Sequence, residues 1–178
     1  GSASGIASGS PATAAARLES DQANAALGIS VASAGDVNGD GYADVIVGAN
    51  QYAAGQTNEG AAFAYLGSAS GIANGNPTTA AAQLEANQGS ALLGTRVAGA
   101  GDVNGDGYAD VILGAPYYDA GQLDEGAAFV FLGSASGIAS GNPATAAAQL
   151  ESNQSDTSMG GVVAGAGTGC PVSFARRA

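Results

Sequence analysis

The chain has 178 residues, of which 30 are Gly, and it contains no Trp, no His and only 6% aromatic residues, so large core side chains are scarce. Its formal charge of −11, from 15 Asp+Glu against 4 Lys+Arg, disfavours nucleic acid and anionic membrane surfaces as partners. A single Cys excludes an internal disulfide, and no apolar run approaches the roughly 20 residues that span a bilayer.

The segment GSASGI recurs at Gly1, Gly67 and Gly133, and an acidic loop recurs at Asp36 and Asp102, each 66 residues on. Residues 1–66 and 67–132 are two full copies, and 133–167 repeats the beginning of a third as far as VAGAG. A fixed period of this length is the signature of stacked supersecondary units. In chain order, PATAAARLE (11–19) comes first. Pro at a first helical position and the Ala run suit a short helix, while Pro at the start of an outermost strand is equally tolerated. LGISVASA (27–34) alternates in strand fashion and leads into the first acidic loop. DVIVG (44–48) is a β-branched run that leaves it, and AAFAYL (61–66) is a third short run closed by Gly67. The same elements follow in copy two. Where a third loop should begin, the chain reads Thr168, Gly169, Cys170, Pro171, so the third site is lost.

Both loops read D-x-N-x-D-G-x-x-D. Calcium takes six to eight oxygen ligands, and short acidic or amide side chains at alternate positions of a curled loop converge on one centre. The expected ligands are Asp36, Asn38, Asp40 and Asp44 in the first loop, and Asp102, Asn104, Asp106 and Asp110 in the second. Tyr42 and Tyr108 contribute backbone carbonyls, and Gly41 and Gly107 permit the positive-φ turn. That is two Ca²⁺ per chain, and with Ala supplying much of the 46% hydrophobic content, bound metal is the natural additional source of stability. An EF-hand needs Glu at position twelve, whereas Val47 and Leu113 stand there, inside β-branched runs with no flanking helices. Mg²⁺ suits a multi-carboxylate cage less well. An acidic Asx-rich turn without metal would crowd three carboxylates within nine residues, with no cation to relieve them.

Other signals are weaker. Glu59 and Glu125, each before a Gly, read as exposed acids at turns, with a helping role near a neighbouring ion as the alternative. Tyr52, Tyr117 and Tyr118 suit packing between units or an exposed contact for a glycan. Asn153 to Ser155 has the form of a glycosylation sequon. Cys170 offers an intermolecular disulfide, and it shares a segment divergent from the repeat with Arg176 and Arg177. The His-based triads, catalytic zinc sites and phosphate loops of enzymes are missing.

In copy one the loop is preceded by Leu27-Gly28 and followed by Val47-Gly48-Ala49-Asn50; in copy two the frame is Leu93-Gly94 and Leu113-Gly114-Ala115-Pro116. This frame resembles the FG-GAP repeat of integrin α-chain propellers and their bacterial relatives, with Leu-Gly in place of Phe-Gly. The resemblance implies an all-β fold of tandem four-stranded β-propeller-type blades, with calcium held in the hairpin between each blade's first two strands. The implied strands lie near 28–34, 44–48, 61–66 and 80–85, then 94–100, 110–114, 127–132 and 146–151.

The expected organisation is a terminal partial repeat at 1–27, supplying the outer strand of a preceding blade. Blade one at 28–93 and blade two at 94–160 follow, and 161–178 begins a third repeat and ends in a divergent tail. Propellers close at four to eight blades, so two full blades plus partial ones do not close within one chain. The functional expectation is a non-enzymatic, calcium-stabilised extracellular or cell-surface adhesion or structural module. It would self-associate through open blade edges into a filament or a multi-chain propeller. The alternatives are a propeller domain that binds an extracellular protein or glycan, and an excerpt of a larger adhesin of this type. Extracellular modules bind calcium with Kd of about 10⁻⁴ to 10⁻³ M, which is the basis for placing the protein outside the cytosol.

Overall fold

The computed structural model describes residues 8–165. Gly1, Thr168, Cys170, Arg176, Arg177 and the last residues of the third copy lie outside the described residues. Among the described residues, eight strands form two separate four-stranded antiparallel sheets. Sheet one has the order β1 (Leu27–Gly35), β2 (Asp44–Ala49), β3 (Ala61–Tyr65) and β4 (Ala82–Glu85), and sheet two has β5 (Arg96–Gly101), β6 (Asp110–Ala115), β7 (Ala127–Phe131) and β8 (Ala148–Glu151). Each strand falls within two residues of its expected span, the usual uncertainty at element ends. The fold is all-β, and the two sheets do not close into a ring. Among the described residues no helix is long and apolar enough to cross a membrane.

The central strands explain their own sequences. β2 pairs β1 on one side and β3 on the other, and both faces are covered, so DVIVGA and DVILGA run almost continuously apolar rather than alternating. β3 is buried at every position. Phe63 in β3 and Phe129 in the equivalent β7 are bulky core residues, and Tyr52 and Tyr118 respectively meet them edge-on at 5.1 Å within the same repeat. That is favourable aromatic geometry, and it accounts for two of the three tyrosines read as inter-unit or glycan contacts; Tyr117 is exposed.

The Pro segments resolve into both expected states in series. Pro77–Thr79 and Pro143–Thr145 are single 3-10 turns, after which the chain extends into β4 and β8. Asn76 caps the first of these turns, accepting from the N–H groups of Thr78 and Thr79 through its side chain. An isolated helix this short is marginal in water, and pairing of Ala61 with Glu85 and Ala64 with Ala82 prevails over Ala's helix propensity. In the first copy Pro11–Thr13 forms the same turn, but residues 14–19 form only an isolated bridge, between Leu18 and Gly75.

The two sheets share one core that includes Ile46, Leu84, Leu93, Val97, Leu113 and Phe129. Their approach is so close that a Cβ on Gly48 would collide with the carbonyl of Gly94, and sheet two repeats this with the segment that follows it, where a Cβ on Gly114 would meet the carbonyl of Gly160. At the outer edge a short parallel bridge ties the connection before β8 to β4. Glu85 N–H donates to Gly141 O, and Gly141 N–H to Gln83 O, both at 3.0 Å.

Equivalent positions meet opposite fates at the two ends. Val97 is 5% exposed and its counterpart Val31 60%, whereas Val37 is fully buried and its counterpart Val103 is 54% exposed. Leu84 is likewise buried and Leu150 exposed. Each end thus presents the apolar surface that is covered at the junction between the sheets.

Candidate metal-binding loops

Each acidic loop joins the first two strands of its sheet. A register shift before Gly35, and again before Gly101, turns the chain out of β1 and β5. Gly41 (φ 88) and Gly107 (φ 95) supply the left-handed backbone that curls the loop.

The Asp36 carboxylate is the hub of the first loop. Its Oδ1 accepts from the backbone N–H of Gly39 at 2.7 Å and of Asp40 at 3.1 Å, and its Oδ2 from Gly41 at 2.8 Å. Asp102 repeats this with Gly105, Asp106 and Gly107 at 2.7, 3.1 and 2.9 Å. Asn38 Oδ1 accepts from Asp40 N–H and its Nδ2 donates to Asp40 Oδ2, as Asn104 does with Asp106. The other carboxylate oxygen, Oδ1, of Asp40 and of Asp106 accepts from Tyr42 N–H and Tyr108 N–H respectively.

Asp44 and Asp110 differ from the rest because they are fully buried. Asp44 Oδ2 accepts from Val37 N–H at 2.8 Å and Oδ1 from Gly67 N–H at 2.7 Å. Asp110 does the same with Val103 and Gly133. The ninth position therefore ties the loop's start to the turn after the third strand. Val37 O in turn accepts from Ser134 N–H of sheet two, and Asp36 O accepts from Ala109 N–H at 2.9 Å. The ring of Tyr108 lies against Gly39, while Tyr42 is exposed. The first loop is thereby built into the junction between the sheets.

These are oxygen-rich loops with no internal counter-charge: among the described residues the only ion pair joins Arg17 to Glu19. As the side chains stand, no three carboxylates among the described residues converge into a metal-holding group; their oxygens are turned to backbone N–H donors. A carboxylate oxygen that accepts one such bond retains a further lone pair, whereas Asp36 Oδ1 and Asp102 Oδ1 each accept two. Three carboxylates, one amide and one carbonyl per loop form a hard-oxygen donor set, and that set fits calcium.

Glu59 and Glu125 correct the expectation of exposed acids: both are fully buried. Glu59 Oε1 accepts from the N–H groups of Ala54 and Gln56 at 2.6 and 2.9 Å, and Oε2 from Asn87 at 3.1 Å. Glu125 Oε1 holds Ala120 and Gln122 in the same way. The acid folds the connection between the second and third strands and, in sheet one, fastens it to the segment that enters sheet two. Its recurrence in both copies, just before a buried strand, was the signal available in the sequence. Glu59→Ala removes the acceptor of three N–H groups. Because an unsatisfied buried donor costs about 1–3 kcal/mol, the variant is expected to lose at least about 2 kcal/mol in urea unfolding. A loss within about 0.5 kcal/mol, as for ordinary surface changes, would refute that role.

A family model described as FG-GAP repeat matches residues 27–65 and 93–131, the stretches from the first strand through the third in each sheet. The chain is 36% identical over 105 residues to integrin alpha-6 of Homo sapiens, covering 58% of this chain and 8% of that protein. It is 43% identical over 90 residues to integrin alpha pat-2 of Caenorhabditis briggsae, covering 50% and 7%. With integrin alpha-IIb of Mus musculus the identity is 34% over 127 residues, covering 68% and 12%. The chain thus spans only a small fraction of the length of these relatives.

Proposed function

Two integrin-like FG-GAP repeats form the body of the chain, and from that premise we propose that it is a calcium-stabilised adhesion or structural module acting by binding and self-assembly outside the cytosol. The observation that carries the calcium reading is the repetition of one loop geometry. Asp36 and Asp102 gather the same three N–H groups at nearly the same distances, so two independent stretches of sequence build one oxygen-rich cup. Calcium in that cup would neutralise carboxylates that, among the described residues, form no ion pair. In the first loop it would also brace Val37 and Asp36, whose carbonyls receive N–H groups from sheet two.

Self-assembly rests on the ends. Val31, exposed on sheet one, occupies the position that sheet one buries at Val97, and Val103 and Leu150 are exposed where Val37 and Leu84 are covered by sheet two. The junction inside the chain is thus a template for a head-to-tail contact between chains, which grows into a ring or a filament. Sedimentation velocity over a range of protein concentrations, with calcium and with EDTA, tests this: calcium-dependent species larger than the monomer are expected, and a monomer throughout would reject self-assembly. The carboxylates are engaged structurally rather than poised as an acid/base pair, which supports a binding role rather than an enzymatic one.

A further inference from the structure

The two acidic loops share one sequence: DVNGDGYAD stands at 36–44 and again at 102–110. Each therefore carries an Asn-Gly pair, Asn38-Gly39 and Asn104-Gly105, and a third pair, Asn74-Gly75, precedes the Pro77 turn. Asn followed by Gly is the least hindered setting for attack of the next backbone nitrogen on the side-chain amide, because Gly has no Cβ to block the approach. Bonding within the two loops is also alike. Gly39 and Gly105 each donate N–H to Oδ1 of the loop's first Asp at 2.7 Å, and Asn38 and Asn104 donate from Nδ2 to Asp40 and Asp106 at 3.0 and 2.8 Å. Sequence and internal geometry thus give the two pairs the same intrinsic reactivity.

Their surroundings differ. Sheet two closes over the first loop: Val37 is fully buried, a Cβ at Gly39 would lie 2.8 Å from the Tyr108 ring, and the carbonyls of Asp36 and Val37 accept from Ala109 and Ser134 N–H at 2.9 and 3.1 Å. Asn38 is half-buried there, whereas Asn104 and Gly105 are exposed and nothing lies within 4 Å of a Cβ at Gly105. Asn74-Gly75 is pinned by the segment before sheet one. Asn74 Oδ1 accepts from Arg17 N–H at 2.7 Å, and Gly75 donates to Arg17 O and accepts from Glu19 N–H, both at 3.0 Å. Cyclisation requires the Gly nitrogen to leave its acceptor and turn toward the side-chain carbon, so a pair tied to a neighbouring element opens less often.

We infer that Asn104 is a site of spontaneous deamidation and that sheet two shields Asn38, which sits in the same sequence. The Gly105 nitrogen bonds to Asn104 Cγ, the Cγ–Nδ2 bond breaks, and Nδ2 leaves as ammonia with the proton that the Gly105 nitrogen gives up. Water then opens the cyclic imide at one carbonyl or the other. One opening yields Asp, and the other yields isoaspartate, in which the main chain runs through the former side chain. Either product adds a negative charge and removes the Nδ2 donor to Asp106 Oδ2, leaving two carboxylates where an amide and a carboxylate were paired. In isoaspartate the extra backbone methylene also shifts Gly105 against Asp102, the hub of the loop. The modification therefore remodels the second loop and spares the first.

Tryptic mapping by tandem mass spectrometry tests the site, because cleavage after Arg96 places the two loops on separate peptides. The full chain is incubated at near-neutral pH in EDTA, under conditions where circular dichroism shows it folded, and in parallel in urea that unfolds it. In the folded chain Asn104 should convert first of the three, and at least about tenfold faster than Asn38, whose loop must break two further hydrogen bonds to open. In urea the rates of Asn38 and Asn104 should converge, since their sequence is shared. Three results overturn the proposal: equal rates for Asn38 and Asn104 in the folded chain, conversion of Asn38 or Asn74 ahead of Asn104, or no conversion of Asn104 while the unfolded chain converts. EDTA keeps metal out of the comparison, so none of these outcomes bears on the calcium reading.

Discussion

Chelation of calcium is expected to lower the melting temperature by about 10–20 °C. A ligand that binds only the native state stabilises it by RT ln(1 + [L]/Kd), which is about 2.7 kcal/mol per site at a hundredfold excess over Kd. Two equivalent loops give about 5 kcal/mol, and for a chain of this size each kcal/mol moves the midpoint by about 2–4 °C. The apolar core has little to set against that loss, since many of its buried residues are Ala, including Ala34, Ala61, Ala62 and Ala64. Differential scanning calorimetry with calcium, and again with excess EDTA, reads the shift directly. Equal midpoints would remove metal from the account of stability.

The second large effect concerns the approach of the two sheets. In Gly48→Ala the new methyl group meets the backbone carbonyl of Gly94, which cannot move without pulling the start of sheet two away from sheet one. Overpacking of a close contact costs about 1–3 kcal/mol and occasionally more, and a fixed backbone obstacle belongs at the upper end. Gly114→Ala makes the same collision with Gly160, in the segment that follows β8. Both substitutions should destabilise in urea unfolding. Gly55→Ala, where nothing lies within 4 Å of the added carbon, should be neutral or slightly stabilising. If Gly48→Ala and Gly55→Ala behave alike, the close approach of the sheets is not what holds them together.

Much of this architecture was legible before any coordinates. The 66-residue recurrence defined the unit, and β-branched runs such as Val45 to Val47 marked the central strands. The loop pattern together with the Leu-Gly and Gly-Ala frames pointed to the FG-GAP repeat. Three things were hidden for physical reasons. Glu59 beside a Gly reads as a solvated turn because composition cannot reveal three converging backbone N–H groups. The Pro segments carry helix and strand signals at once, and only pairing with β3 decides between them. Val31 and Val97 are the same residue at the same repeat position, so their opposite exposure depends on what stands beside each sheet. The loop residues were named from spacing alone; the structure adds that Asp44 and Asp110 are buried braces that link each loop to the turn after its third strand.

The calcium reading is tested most directly by calorimetric titration of the metal-free chain with calcium. Two ions per chain are expected for the unaltered sequence and one each for Asp40→Ala and Asp106→Ala, since each substitution removes a carboxylate from one loop and leaves the other intact. No binding to the unaltered chain, or two ions still bound after either substitution, would contradict the assignment of these loops as calcium sites.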